Sequence, residues 1–145
     1  MRKTTLTGHI VLVGHGRVGG FISEALRPSG TPLLVIDSHP DNIERARQRG
    51  LDAIEGNAAD PEIIAAVNLP AARCLLVAIP DAFEGGQVVD QARKLNAALP
   101  IIARAHSEAE IEHLKKHGAT AVVMSEHETA KAMIADIPAP PPDAA

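Results

Sequence analysis

Hydrophobic residues in this chain come in short unbroken runs, separated by stretches with a different rhythm. The runs are Ile10–Val13, Leu33–Ile36, Ala53–Ile54, Leu75–Ile79, Ile101–Ala103 and Ala121–Met124. They are continuous rather than alternating, the pattern of strands buried on both faces of a parallel sheet. Between them the period becomes that of a helix. Val18, Phe21, Ile22, Ala25 and Leu26 fall at i, i+3, i+4, i+7 and i+8, which predicts one apolar helical stripe stopped by Pro28 and Gly30.

Start and stop signals punctuate the later segments. Asp60-Pro61-Glu62 reads as an N-cap followed by proline in the first turn, and Asp81…Glu84, Ser107…Glu110 and Ser125…Glu128 have capping-box spacing. Gly50 and Gly118 stand where helix C-caps are expected. Strands alternating with helices over short connections require right-handed crossovers. The predicted fold is α/β, a Rossmann-like doubly wound parallel six-stranded sheet with helices on both faces. It occupies residues 1–136 as one domain, and the proline-rich tail, 137–145, is predicted to be disordered or a linker.

Composition narrows the function. The chain has 145 residues, 46% hydrophobic and 22% charged, the balance of a folding globular protein. Two phenylalanines and no Trp or Tyr leave Ala, Val, Ile and Leu to build the core, and give almost no stacking platform for bases. A net charge of −4 with scattered basic residues argues against a nucleic-acid partner, because phosphate backbones are held by clustered Lys and Arg. Cys74 is the single cysteine, which excludes an intrachain disulfide and a thiolate metal cluster and suits a buried strand position. No apolar run approaches the roughly 20 residues that span a bilayer, and the basic start Met1-Arg-Lys3 is followed by no signal-peptide core. Seven histidines show no metal-binding spacing. His113 and His117, at i and i+4 on a charged face, read as solvent-exposed, and no metal site is expected.

The chemistry concentrates at His9–Phe21, HIVLVGHGRVGGF. Gly14, Gly16 and Gly19 have the spacing G-x-G-x-x-G between a strand and a helix. The first permits the tight turn, the second lets backbone approach a phosphate and the third allows close helix-to-sheet packing. Arg17 in the first helical turn opposes the dipole, and a bound phosphate would reverse the sign of that interaction; otherwise Arg17 points into water. Asp37, followed by Ser38, ends the second strand, where a carboxylate accepts from both ribose hydroxyls and repels a 2′-phosphate, or else caps the helix at Pro40. Asn57, at the third strand's exit, suits an adenine edge or merely stabilises a turn, and Asp60 reads as a helix cap. Ile79, Pro80 and Asp81, at the fourth strand's exit, are expected on the opposite lip. Arg104 is either a second phosphate or partner contact or the partner of a carboxylate, His106 reads as structural or exposed, and Glu126 and Glu128 read as solvated caps or as contacts to a neighbouring chain or a cation.

VLVGHGRVGG, LLVID, GNAAD, AIPDAFE, IIARAH and VVMSEHETA, in that order, resemble the regulatory RCK domain, also called KTN or Trk-N, nearest to the cytosolic C-terminal domain of Kef-type and YbaL-like cation:proton antiporters. The resemblance covers about residues 8–136. It departs at His15, where many relatives carry Tyr or Phe. It implies that Gly14, His15, Gly16, Arg17 and Val18 hold phosphate, Asp37 the ribose, and Asn57 with Ala58 the adenine. The cofactor-binding set is then Gly14, His15, Gly16, Arg17, Val18, Gly19, Asp37, Ser38, Asn57, Ala58, Ile79, Pro80 and Arg104. It implies AMP or a related adenine nucleotide as ligand, with NAD(H) the alternative. It also implies a homodimer, a membrane cation transporter or antiporter as partner, and a place for this domain at the cytoplasmic face of the inner membrane, attached to or associated with that membrane protein. The expected function is regulation of potassium or other monovalent-cation transport without catalysis. A fragment of an NAD-dependent oxidoreductase is the runner-up, disfavoured because no residues are left over for a substrate site and proton donor; a methyltransferase fails on the same ground.

Overall fold

The structure is a computed structural model that describes residues 3–143. Its elements are β1 (Ile10–Val13), α1 (Arg17–Leu26), β2 (Leu33–Asp37), α2 (Pro40–Gln48), β3 (Asp52–Glu55), α3 (Pro61–Ala65), β4 (Cys74–Val77), α4 (Ala82–Leu95), β5 (Ile101–Ala105), α5 (Glu108–His117), β6 (Ala121–Met124) and α6 (Ser125–Ala135), with short 3-10 turns at Arg27–Ser29 and Leu69–Ala71. The strands form one parallel sheet in the order β3-β2-β1-β4-β5-β6. Strand order reverses at β1, so the connections leaving β1 and β4 diverge to opposite faces and open a crevice at their carboxyl ends.

Alternation along β1 and β2 divides the core. Val11, Val13, Leu34 and Ile36 pack on α3, α4 and α5 through Ile63, Ile64, Val88, Val89 and Leu114. Ile10, Leu12, Leu33 and Val35 face α1 and α2, where Ile22, Leu26 and Ala46 meet them. Burial on both faces holds for β1 and β2 but not for the rest. On the α1 side, Ile102 of β5 is 37% exposed and Val123 of β6 43% exposed. The helix that follows, α6, buries none of its residues and leaves Met133 68% exposed. An apolar groove of about 170 Å³ therefore remains between α1 and β4–β6, lined by Val18, Ile22, Leu76, Ile102 and Val123 among others.

The buried side of α1 differs from the expected stripe. Gly19, Ile22, Ser23 and Leu26 turn toward the sheet, while Val18 and Ala25 are exposed and Phe21 is 77% exposed. Backbone sterics fix this rotation, since a Cβ on Gly19 would lie 2.0 Å from the Gly14 carbonyl oxygen, and only bare backbone can approach so closely. Asp60, Asp81 and Ser107 cap their helices through N–H bonds to their side chains. Glu110 accepts from the His106 N–H at 2.6 Å, one residue earlier than a capping box requires. Ser125 is no cap: it is the first residue of α6, and its hydroxyl serves another partner described below. The tail forms neither helix nor strand from 138 to 143; Ala144 and Ala145, like Met1 and Arg2, lie outside the described residues.

Two glycines of α1 separate packing from helix propensity. Gly19→Ala is expected to destabilise the domain by about 3 kcal/mol or more, since its methyl meets backbone that cannot yield. At Gly20 a Cβ meets only an arginine nitrogen at 3.6 Å. Gly20→Ala is accordingly expected to stabilise by up to about 1 kcal/mol. Urea unfolding of the two variants checks both signs.

Candidate functional site

β1 delivers the chain into a turn that the sheet holds from both sides. The Gly14 N–H donates to Ile36 O at 2.8 Å, and the Val13 carbonyl accepts from Ala78 N at 2.8 Å. Gly14 turns at φ +100°, a left-handed conformation that favours glycine, and a Cβ there would press on Ile79 at 3.1 Å. Gly16 is the N-cap of α1 and offers no side chain, and no acidic residue stands in the first turn. The leading N–H groups of the helix therefore lack a side-chain acceptor, and the exposed Arg17 adds positive charge to the positive end of the dipole. An anion at this point satisfies both.

The turn opens onto a crevice of about 430 Å³. Gly14, Gly16, Arg17, Val18 and Gly19 form its floor, Asp37, Ser38, His39 and Asn42 one wall, and Ala78, Ile79, Pro80, Asp81, Glu84 and Arg104 the other. Ten of the thirteen sequence-derived site residues thus share one cavity. The remaining three lie elsewhere. His15 has its ring buried beneath the loop, Ala58 belongs to the core, and Asn57 is exposed with its Oδ1 accepting from Ala59 N at 2.8 Å, a local turn. Asn57 still follows Gly56, whose N–H donates to Asp37 O at 2.9 Å, so it sits just beyond the Asp37 wall. Asp81 lines the lip with Ile79 and Pro80 as expected, whereas His39, Asn42 and Glu84 were not foreseen as lining residues. Asn42, five residues after Asp37 and in the first turns of α2, carried the one readable signal, because a helix starting at Pro40 folds its side chain back toward the end of β2.

Asp37 is the best-connected group of the site. Its Oδ2 accepts from the His15 backbone N–H at 2.7 Å and from Asn42 Nδ2 at 2.9 Å, and its Oδ1 accepts from the His39 N–H at 2.8 Å with the His39 ring Nδ1 at 3.2 Å. Burial by itself would raise this carboxyl, but the His15 and His39 N–H groups and the Asn42 amide together hold it below its ordinary value. Four donors occupy the four lone-pair sites of the carboxylate. A ribose hydroxyl must displace one, and the His39 ring, 77% exposed, is the least constrained.

His15 fastens the loop from below. Ser23 Oγ donates to Gly20 O at 3.0 Å, so at the 3.0 Å contact with His15 the hydroxyl accepts and the ring carries its proton on Nε2. Nδ1 is then a buried lone pair with no hydrogen-bond partner among the described residues. Burial first, and the Arg49 and Arg45 charges after it, hold the ring below the ordinary histidine value. Arg104 pairs with no carboxylate among the described residues; its Nε donates to Ser125 Oγ at 3.0 Å and its Nη1 to Ala78 O at 3.3 Å. His106 contacts Glu126 at 3.2 Å away from the crevice, and His117 contacts Asp90 at 3.2 Å. Among the described residues, no three His, Cys, Asp or Glu side chains are placed to share a metal ion.

Acid should act on this loop in two steps. A histidine held low favours folding while neutral, so its contribution is present above the unfolded value of 6.5 and is lost as pH falls below it. The Asp37 contribution is present above the unfolded value of 3.8 and is lost as pH falls below it toward the lower folded value. His15→Phe is expected to flatten the stability profile between neutral pH and pH 5. Asp37→Asn, which sets an amide N–H₂ against donors, is expected to cost roughly 1–3 kcal/mol at pH 7 and to remove the low-pH step. Urea unfolding from pH 7.5 to 3 reads both.

Comparison with known proteins places this geometry. The chain matches the TrkA-N domain family over residues 10–125. It is 40% identical over 136 residues to YbaL of Escherichia coli, assigned as a cation/proton antiporter, covering 94% of this chain and 24% of that protein. KefB of Alkalimonas amylolytica, assigned as a K(+) efflux antiporter, is 29% identical over 118 residues, 81% of this chain and 18% of its own length. The chain therefore spans a quarter or less of these two relatives. Among solved structures, the TrkA-N domain of YbaL from Escherichia coli superposes with a TM-score of 0.88 at 38% identity, covering 93% of this chain and all of that one. The AMP-bound Kef C-terminal domain of Shewanella denitrificans (TM-score 0.75, 23% identity, 86% of this chain and 75% of that one) and the NAD-bound GsuK channel (TM-score 0.75, 22% identity, 82% and 22%) share the fold. With its uncapped glycine turn, the carboxylate at the end of β2 and the six-stranded order around them, the chain belongs to the TrkA-N domain family.

Proposed function

We propose that this chain is a nucleotide-binding regulatory module rather than an enzyme. In this reading it takes AMP or a related adenine nucleotide into the crevice and thereby controls a membrane transporter of potassium or another monovalent cation, in the first place a cation/proton antiporter. The observation that carries it is the start of α1: a helix with no side-chain cap and no acidic first turn, bearing Arg17 and opening into a crevice whose wall ends in Asp37. The phosphate is assigned to Gly14, Gly16, Arg17, Val18 and Gly19, and the ribose to Asp37 and Ser38. The base is assigned to the lip at Ile79–Pro80 and to Asn57 just beyond the Asp37 wall, and any further phosphate to Arg104. His15 supports the loop from beneath instead of touching ligand. AMP in the Kef structure and NAD in the GsuK channel, on the same fold, support an adenine ligand, with NAD(H) the alternative here.

The transporter role is inferred from YbaL and KefB, of which this chain matches only a part. No helix among the described residues is long and apolar enough to cross a membrane. The domain itself is assigned to the cytoplasmic face of the inner membrane, attached to or associated with a membrane protein. Pairing into a homodimer is supported by the apolar groove beside Ile102 and Val123 and by the exposed Met133 and Ile134 of α6 with Ile137 just beyond it. Control requires only that ligand prefer one of two arrangements of such a pair.

Thermal unfolding with AMP, ATP, NAD and NADP side by side tests the reading, because a ligand at 100 times its dissociation constant adds about 2.7 kcal/mol. AMP is expected to stabilise and NADP to leave the transition unmoved; NAD-dependent turnover of any substrate would favour the oxidoreductase instead. Arg17→Gln should separate folding from binding. It is expected to stabilise the free domain by about 0.3–1 kcal/mol while weakening AMP by about tenfold, measured by unfolding and by calorimetry.

A further inference from the structure

We propose that Arg104 gauges the phosphate charge of the bound nucleotide and reports it to α6, by exchanging its guanidinium between Ser125 at the start of that helix and the ligand's phosphate chain. The inference rests on the nucleotide reading of the crevice and extends it to how ligands are told apart. Arg104 borders both the crevice and the apolar groove. Its Nε and Nη1 hold Ser125 Oγ and Ala78 O, and Nη2 makes no hydrogen bond to a described residue. Of the five N–H donors that a guanidinium carries, three thus stay available to a ligand.

Charge explains why this residue is needed. Two guanidiniums, Arg17 and Arg104, and three carboxylates, Asp37, Asp81 and Glu84, line the crevice. A single phosphate is satisfied by the N–H groups of α1 together with Arg17. Each further phosphate adds negative charge facing Asp81 and Glu84, and Arg104 is the one cation on that wall. The three free N–H groups of Arg104 make the first contact with such a phosphate, and drawing the whole guanidinium onto it gives up the bond to Ser125.

That release falls on a weakly held helix. α6 buries no residue, its N-cap Met124 makes no side-chain cap, and its side-chain ties to the rest of the described residues are Ser125 Oγ on Arg104, the His106–Glu126 contact and an exposed His127–Glu108 contact at 3.6 Å. Freed at its first residue, α6 moves the exposed Met133 and Ile134 relative to the groove next to it. The number of phosphates in the crevice is thereby converted into the position of an apolar surface.

The test uses the whole chain, without divalent cations. It combines calorimetric affinities for AMP, ADP and ATP with hydrogen exchange of residues 125–135, in the wild type and in Ser125→Ala, Arg104→Gln and Arg104→Lys. Ser125→Ala removes the competing acceptor, so ADP and ATP are expected to bind about three- to tenfold tighter, with AMP within about twofold and α6 exchanging fast before any ligand is added. Arg104→Gln should weaken ADP and ATP about tenfold or more, spare AMP and abolish the ligand response of α6, and Arg104→Lys should restore part of the ATP affinity. Unfolding curves establish that each variant folds. Unchanged ADP and ATP affinity in Ser125→Ala, equal losses for AMP and ATP in Arg104→Gln, or an α6 blind to ligand in the wild type would overturn the exchange while leaving nucleotide binding intact. Failure of all three nucleotides to bind the wild type would overturn the nucleotide reading and this inference together.

Discussion

A single backbone N–H, that of His15, donating to the carboxylate of Asp37, joins the turn after β1 to the end of β2. Without that bond the glycine turn would be three flexible residues between a strand and a helix. With it, and with the Gly14 N–H on Ile36 O, the turn has one path, and the axis of α1 points its N-terminus into the crevice. His15 closes the arrangement from beneath through Ser23, four residues beyond Gly19 and on the same side of the helix. The loop is thus organised before any ligand arrives, and a phosphate meets donors whose ordering the fold has already supplied.

This organisation sits beside local choices that a purely structural helix would avoid. α1 starts on glycine, has no cap and puts an arginine where the dipole disfavours it. α3, α4 and α5 each start on an Asp or Ser that caps, which shows that this chain makes ordinary helix starts where nothing else is asked of them. α2 and α6 also lack a side-chain cap but carry acidic residues in their first turns, so the bare and basic start of α1, over the point where strand order reverses, is the mark of a binding site. Asp37 carries a second tension, since the four donors that organise the wall compete with the hydroxyls it is proposed to bind. Exchanging the exposed His39 ring for a ribose hydroxyl keeps the bond to His15 in place.

Much of the fold was legible because its signals are local. Unbroken apolar runs mark the strands, though only β1 and β2 are buried on both faces, and Asp60, Asp81 and Ser107 mark helix starts whose bonds the structure shows. What escaped depends on neighbours far away in sequence. The stripe through Val18 and Phe21 satisfied helical spacing, yet the close approach of Gly19 to Gly14 turned another side of α1 inward. Ser125 had a capping spacing, but Arg104, 21 residues earlier, takes its hydroxyl. Ala58 is small and near the site in sequence, and the core claimed it. Periodicity could not show that α6 leaves β6 without covering the sheet, because its Met and Ile residues look the same on paper whether they fold back or face outward.

The central claim is a division of labour within one turn: Asp37 organises it, and the bare start of α1 receives the phosphate. A crystal structure of the chain with AMP tests this most directly. The account predicts the phosphate within hydrogen-bonding reach of the N–H groups at the start of α1 with Arg17 closing over it, and a ribose hydroxyl on Asp37 in place of the His39 ring, with the His15 bond retained. AMP bound away from this crevice, or its phosphate turned from α1 while all four donors stay on Asp37, would contradict it.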